Sequence, residues 1–184
     1  MRIVQWNIRG YYGNFEDLKL MLKDSQFPAC VCLQETLINS RKPFPPSRYY
    51  IYSHQPAQPL RPPRGIAMLI NKKVPHSIIN INSNLEIQAI KVHLRKTYTI
   101  VNVYISLQEQ LSSQQIESVI SQISPPYLIV GDFNARSPIW GDSTENGNGR
   151  AIERLLASSN VRSYNSIFWK PNPLSCPDKL GILY

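Results

Sequence analysis

Polar residues follow several apolar, strand-like runs of this chain. Asn7 follows RIVQW, Glu35 follows VCLQ, Tyr104 lies in IVNVYIS, and Asp132 and Asn134 follow LIVG. The end of a strand is where a rigid scaffold can aim side chains into a shared cleft. A carboxylate there suits Mg²⁺, which prefers oxygen ligands and keeps several waters. Two separated carboxylates, one for a metal and one for a water, form a workable set for cleaving a phosphodiester.

Each of these residues also has a simpler interpretation. Glu35 can be an exposed acid at a strand end, and Asp132 can start a loop after a glycine. Asn7 and Asn134 are of a type that is common in turns. Tyr104 is one of ten tyrosines and can be half-buried on a sheet. Taken singly, each residue favours the simpler interpretation.

The elements that would position these residues are short strands interspersed with three helices. FEDLKLMLKD (15–24) has helical spacing of its apolar residues, with Asn14 as the predicted N-cap and Pro28 at its end. A hairpin is predicted to turn at Arg95-Lys96, and a second helix to start at Ser112 or Ser113. The order favours mixed sheets with helices packed outside over an alternating doubly wound fold. The predicted strands are 2–6, 29–33, 49–52, 65–71, 86–94, 98–105 and 127–132, and the helices are 15–24, 112–123 and 149–158.

Composition indicates one globular domain with a basic surface. The chain has 184 residues, of which 42% are hydrophobic and 17% charged, which excludes wholesale disorder. Its formal net charge of +8 favours a polyanionic partner such as DNA, RNA or an anionic membrane.

No targeting or membrane segment is predicted. The first residues contain no apolar run of signal-peptide length, and no stretch approaches ~18 apolar residues. Cys30 and Cys32 are interpreted as small core side chains, and with Cys176 they make an odd count without metal-ligand spacing. An intracellular location, nuclear or cytoplasmic, is therefore expected.

Several motifs together resemble the endonuclease/exonuclease/phosphatase superfamily, which is related to DNase I. They are QWNIRG (5–10), LQET (33–36), NVYIS (102–106) and GDFNA (131–135), in that order. The extension SPIWGD (137–142) and the segment GRAIERLL (149–156) resemble the endonuclease domain of LINE-type, non-LTR, jockey-like retrotransposon polyproteins. The resemblance runs from residue 2 to about residue 160, and it favours the functional interpretation of the five polar residues taken together.

The resemblance implies an α+β fold and a role for each residue. The fold would be a four-layer, DNase I-like sandwich of two mixed sheets packed face to face with helices outside. Glu35 would ligate Mg²⁺ or Mn²⁺, and Asn7 would support the metal site. Tyr104 would contact the scissile phosphate, Asp132 would activate the water, and Asn134 would hold the phosphate or the water.

The resemblance also implies partners. The chain would be a metal-dependent endonuclease that binds and nicks target DNA to prime reverse transcription, as a monomer, with a reverse-transcriptase domain downstream. Arg9, Arg64 and Arg136 are candidate phosphate contacts, although a solvated charge is the simpler interpretation of each. Trp140 is a candidate DNA-proximal residue, for which anchoring by burial is the simpler interpretation.

The sequence departs from the family after about residue 164. The family ends with an S-x-x-D-like strand and a Ser-Asp-His loop, whereas here the three histidines lie upstream and Asp178 does not fit. The expectation is a single domain over 1–184, incomplete at its C-terminus, with its last strands missing and an unpaired sheet edge. Such a nuclease would be weak or inactive, because one lost electrostatic partner of the phosphate costs ~10²–10³ in rate. A phosphoesterase of the same fold and a non-catalytic DNA-binding remnant remain alternatives.

Overall fold

The computed structural model describes residues 2–38, 43–54, 64–158, 161–164 and 180–183. Of the surface loops predicted over 39–48 and 54–64, residues 39–42 and 55–63 lie outside the described residues. Cys176 and Asp178 also lie outside them.

The first sheet has four strands in the order β1-β2-β4-β3. β1 (Ile3–Asn7) runs parallel to β2 (Cys30–Gln34), and α1 (Phe15–Asp24) connects the two. β4 (Ile66–Asn71) is antiparallel to β2 and to the edge strand β3 (Tyr49–His54). β2 is buried along its whole length, because it lies between two strands and is covered on both faces.

The second sheet has six strands in the order β5-β6-β7-β8-β10-β9. β6 and β7 form the predicted hairpin, and β8 runs parallel to β7. Two helices, α2 and α3, precede and follow β8. The bounds are β5 His76–Ile79, β6 Glu86–His93, β7 Thr97–Tyr104, α2 Ser113–Ile120, β8 Tyr127–Asp132, α3 Gly147–Ser158, β9 Arg162–Tyr164 and β10 Leu180–Leu183.

Three apolar clusters define four layers, as the resemblance implied. The side chains of α1 pack on the outer face of the first sheet, with Leu18 and Met21 fully buried. The two sheets meet over a cluster that includes Cys30 and Cys32, whose sulfurs lie 3.8 Å apart as free thiols. α2 and α3 cover the outer face of the second sheet. The two cysteines are therefore core side chains, as predicted.

The helix starts differ in how they are capped. Ser112 caps α2 as predicted, in a capping box with Gln115. Asn14 is the N-cap residue of α1, as predicted, but its side chain makes no capping hydrogen bond. The amide of Asn14 donates instead to the carbonyl oxygens of Ile8 (2.8 Å) and Gly10 (3.1 Å). Asn14 thereby fixes the loop that follows β1 against the helix.

Two features of the second sheet differ from the sequence-based expectation. β5 was not predicted, because four residues with only two apolar members carry too little pattern. The expected unpaired edge beside β8 is wrong: β10 pairs antiparallel with β8, placing Leu180 opposite Gly131, and β9 pairs with β10. These strands have three and four residues, which is too short to recognise outside the matching motifs.

None of the helices in the described parts of the chain has the length and apolar character that a bilayer crossing needs.

Candidate active site

The two parallel strand pairs bring the predicted polar residues to one end of the molecule. Asn7 lies opposite Gln34 in the first sheet, directly before Glu35. Tyr104 lies opposite Asp132 in the second sheet. Parallel strands end at the same edge of a sheet, and β1 and β2 both pack against β8. The strand ends of both sheets therefore meet.

Asn7 joins the two carboxylates of this edge. Its Nδ2 donates to Glu35 Oε1 at 2.9 Å and to Asp132 Oδ2 at 2.7 Å. The two acids come from different sheets and are 97 residues apart in the chain, yet both lie within hydrogen-bonding reach of one amide nitrogen. The carboxylates of residues 35 and 132 therefore share one site.

Glu35 is held by charge and by backbone conformation. Burial alone would raise its pKa, but donation from Asn7, Arg64 and Tyr104 and the charge of Arg64 together lower it. Its φ of +50° is unusual for a residue with a side chain. Such outliers persist where the surrounding structure fixes them, which is typical of functional sites.

Tyr104 stays a protonated donor. Its hydroxyl lies 3.2 Å from Glu35 Oε1, and only 3% of the residue is exposed. Burial, followed by the negative charge of Glu35, raises the pKa of the phenol well above its ordinary value. Tyr104 therefore keeps its proton throughout the neutral and mildly alkaline range.

Asn134 fixes the turn that follows Asp132. It has a φ of +45°, its backbone N–H donates to Asp132 Oδ1 at 3.2 Å, and its Nδ2 donates to the Ile105 carbonyl at 2.8 Å. Asn146, which the sequence analysis did not single out, donates to the Asn134 carbonyl at 2.7 Å. The loop after β8 is thus tied to the end of β7 and to the start of α3.

The SPIWGD loop is anchored to the core. The Trp140 indole N–H donates to the Ala135 carbonyl at 3.2 Å, and its ring packs against the second-sheet core. Ser137 is buried and donates to Glu153 of α3. Arg136 is exposed at the start of this loop, with its backbone held by Asn146. The anchoring of Trp140 matches its simpler interpretation, and a contact of Trp140 with DNA remains a prediction.

The other two candidate arginines differ in their surroundings. Arg9 is exposed, has a φ of +50°, and forms no ion pair with any described residue. Arg64 instead pairs with Glu35: Nη2 lies 2.7 Å and Nε 3.0 Å from Oε2. Its guanidinium therefore contacts the carboxylate, although half of the side chain is exposed.

Glu86 is a site residue that the sequence analysis missed. Its two carboxylate oxygens accept the backbone N–H groups of Arg64 (3.0 Å) and Gly65 (2.8 Å). Burial raises its pKa more than these hydrogen bonds lower it. The available signal was an acid as the first residue of a strand that alternates apolar and polar residues, which is also common at exposed strand ends.

The donor set of this edge fits a hard divalent cation. Asn7 Oδ1 is buried without a hydrogen-bond partner, and it lies on the amide that holds both carboxylates. An orphaned buried oxygen is costly unless a ligand satisfies it. Across the described ranges, no cluster of three or more His, Cys, Asp or Glu side chains forms a protein cage for a metal. Two carboxylates, an amide oxygen and several waters are the kind of coordination that Mg²⁺ accepts.

Within the described residues, no histidine forms an ion pair with either carboxylate. His76 and His93 lie at the opposite end of the second sheet and bond to Tyr52 and Ser77, respectively. His54 ends the edge strand β3.

Solved structures of known proteins match the fold of this chain. The endonuclease domain of TRAS1, a telomere-specific non-LTR retrotransposon, superposes with a TM-score of 0.76 at 15% identity, covering 98% of this chain and 83% of that one. The AP endonuclease LMAP from Leishmania major gives a TM-score of 0.69 at 11% identity, covering 98% and 78%. The layered sheets therefore define a DNase I-like fold.

Sequence comparison then gives the family. A family model described as "Endonuclease-reverse transcriptase" matches residues 98–175. The RNA-directed DNA polymerase from mobile element jockey of Drosophila melanogaster is 23% identical over 98% of this chain, and that of Drosophila funebris is 21% identical over 98%. The chain spans 20% of the length of each of these relatives. Within the DNase I-like class, the chain is thus similar in sequence to retrotransposon polyproteins and similar in fold to a retrotransposon endonuclease domain.

Proposed function

We propose that this domain nicks DNA by metal-dependent hydrolysis of one phosphodiester. The observation that carries the proposal is the Asn7 amide, which holds Glu35 and Asp132 within hydrogen-bonding distance of the same nitrogen. One acid for a cation and one for a water is the minimum that this chemistry needs.

Each side chain then has one task. Glu35, supported by Asn7, holds Mg²⁺ or Mn²⁺, which when bound screens phosphate charge and polarises the phosphoryl oxygen. Asp132 orients the attacking water and accepts its proton. Tyr104, which its raised pKa keeps protonated, contacts the scissile phosphate from its place beside Glu35. Asn134 holds the phosphate or the water from the turn after β8.

DNA is the proposed polymer because the chain carries a formal charge of +8 and has exposed arginines beside the site. Arg9 and Arg136 are the proposed phosphate contacts, and Trp140 supports the loop that follows Arg136. In a longer polyprotein of the kind represented by the jockey relatives, the nick would prime reverse transcription by a downstream domain.

The test is nicking of supercoiled plasmid with Mg²⁺ or Mn²⁺. We expect slow nicking that EDTA stops and that Asp132→Ala and Glu35→Ala each reduce about 10²-fold or more. Asp24→Ala, at the end of α1, is the matched control. Nicking that survives Asp132→Ala would refute the proposal. Hydrolysis of soluble phosphoesters with the plasmid left intact would indicate a phosphoesterase. Salt-sensitive DNA binding without cleavage would indicate a non-catalytic remnant.

A further inference from the structure

The Glu35 carboxylate has no free position for a cation. Oε1 accepts from Asn7 Nδ2 and from the Tyr104 hydroxyl, and Oε2 accepts from both Nε and Nη2 of Arg64. An ionised carboxylate offers about four lone-pair sites. Because all four are used, a metal ion binds Glu35 only if one of the donors leaves.

Arg64 is the donor that a cation would displace. Asn7 and Tyr104 are neutral and fixed on strands of the two sheets, and Tyr104 is buried. The Arg64 side chain is half-exposed, at 50%, whereas that of Glu35 is 13% exposed. Arg64 is also the only one of the three with a positive charge, so a divalent ion on Oε2 repels it.

The backbone of Arg64 stays in place when its side chain leaves. The N–H groups of residues 64 and 65 donate to Glu86, as described above. Their carbonyl groups accept from Leu37 N at 2.8 Å and Thr36 N at 3.0 Å. Four hydrogen bonds thus fix two consecutive residues, and only the long side chain is free to turn.

We propose that Arg64 occupies the cation position on Glu35 in the metal-free domain and exchanges it for a DNA phosphate when a divalent ion binds. Arg64 is thus a positioning residue. Without metal, it offsets the repulsion between the two carboxylates; with metal, its guanidinium becomes available beside the site. This inference rests on the proposed function, because it takes Glu35 as the metal ligand.

The first experiment measures Mn²⁺ binding to the DNA-free protein by electron paramagnetic resonance of the free ion. Arg64→Gln removes the competing cation, so we expect it to bind Mn²⁺ on the order of fivefold tighter than the wild type. Arg95→Gln, exposed at the far hairpin, makes the same charge change away from the site and should match the wild type.

The outcomes separate this inference from the proposed function. If Arg64→Gln binds Mn²⁺ no tighter than Arg95→Gln, Arg64 does not compete and the inference is wrong, whereas the proposed function stands. If Glu35→Gln binds Mn²⁺ as the wild type does, the ion lies elsewhere, and the metal assignment of the proposed function fails together with the inference.

The second experiment measures binding of a labelled duplex by fluorescence anisotropy, in an Asp132→Asn background that prevents cleavage. With Mn²⁺ present, we plot log affinity against log salt concentration. Adding Arg64→Gln should reduce the magnitude of the slope of this plot by about one. Without Mn²⁺, the same substitution should leave that dependence unchanged, because Arg64 is then held by Glu35. An equal effect of Arg64→Gln under both conditions would overturn the exchange.

Discussion

At the scale of single residues, the site depends on neutral hydrogen-bond donors that contact its two carboxylates. Asn7 and Tyr104 both donate to Glu35, and Asn7 also donates to Asp132. Burial disfavours the ionised form of Glu35, and the hydrogen bonds donated by Asn7, Arg64 and Tyr104, with the charge of Arg64, oppose that effect. The lowered pKa of Glu35 is the net result.

The lowered pKa of Glu35 predicts a pH dependence of stability. A depressed carboxyl pKa stabilises the fold fully above the ordinary value of 4.5, and this contribution is lost as pH falls through the lowered value. In metal-free buffer, we expect the stability difference between wild type and Glu35→Gln to shrink from about pH 7 to about pH 3. Urea unfolding across that range measures it, with Glu16→Gln on the exposed face of α1 as control. A difference that stays constant with pH would contradict the prediction.

The sequence identified most of the residues that gather at this edge, and the reason is their position after apolar runs. Glu35 and Asp132 each follow a buried strand, a pattern that can be read locally. Glu86 and Asn146 were missed because their side chains bond to backbone groups of other residues. Every residue type offers such groups, so the sequence does not mark the partners. The pairing of Arg64 with Glu35 was missed because it depends on the register of β4 against β2.

At the scale of elements, the loop after β8 depends on a close approach to α3. A Cβ atom on Gly149 would lie 1.9 Å from the Arg136 carbonyl oxygen, which is backbone and cannot move aside. The same carbonyl accepts from the N–H of Asn146 at 3.1 Å.

Gly149→Ala should therefore destabilise the domain by about 1–3 kcal/mol through overpacking, and displace the loop that holds Asn134. Gly147→Ala is a control in the same helix, because the atom nearest to its added Cβ is the end of a flexible side chain, 3.9 Å away. Urea unfolding of both variants measures the difference. Equal stability of the two variants would show that the loop adjusts without cost.

The two sheets are joined beneath the site by buried amides. Asn102 of β7 donates to the backbone of Leu33 (3.0 Å) and Ala67 (3.1 Å), and its Oδ1 accepts from Gln34 at 2.6 Å. Gln34 accepts in turn from Gln5 at 2.7 Å. These contacts set the position of one sheet relative to the other.

In Asn102→Ala, the buried side-chain amide of Gln34 loses one hydrogen-bond acceptor. We expect a loss of roughly 1–3 kcal/mol in the free energy of unfolding, and slower nicking because Tyr104 and Asp132 move relative to Glu35. Asn80→Ala, in an exposed loop, is the control. Unchanged unfolding and unchanged nicking of Asn102→Ala would show that packing alone sets the sheet positions.

Element prediction succeeded where the apolar pattern was long. The strands over 65–71 and 127–132 and the helix over 15–24 are present to within one residue, because continuous apolar runs and helical spacing are unambiguous. β10 escaped prediction because its pairing with β8 depends on a partner about 50 residues away. Local pattern contains no information about such a contact.

At the scale of the whole molecule, the positive charge should dominate DNA binding. Each neutralised phosphate contributes a slope of about −0.9 to log affinity against log salt. Arg9→Gln and Arg136→Gln should each reduce that slope by about one, whereas Arg95→Gln at the opposite end should not. Anisotropy titrations of an Asp132→Asn domain at several salt concentrations measure this. If all three substitutions had equal effects on the slope, the DNA would not bind beside Arg9 and Arg136.

Asn7 ends the first described strand of this domain, and Asp132 ends the eighth. A nascent polypeptide that has emerged only through β7 contains Asn7, Glu35 and Tyr104 but lacks the proposed water-activating acid. Under the proposed chemistry, strand breakage begins only after the second half of the domain has been translated and has docked. Partial denaturation that separates the sheets would likewise abolish the proposed activity before the domain is fully unfolded.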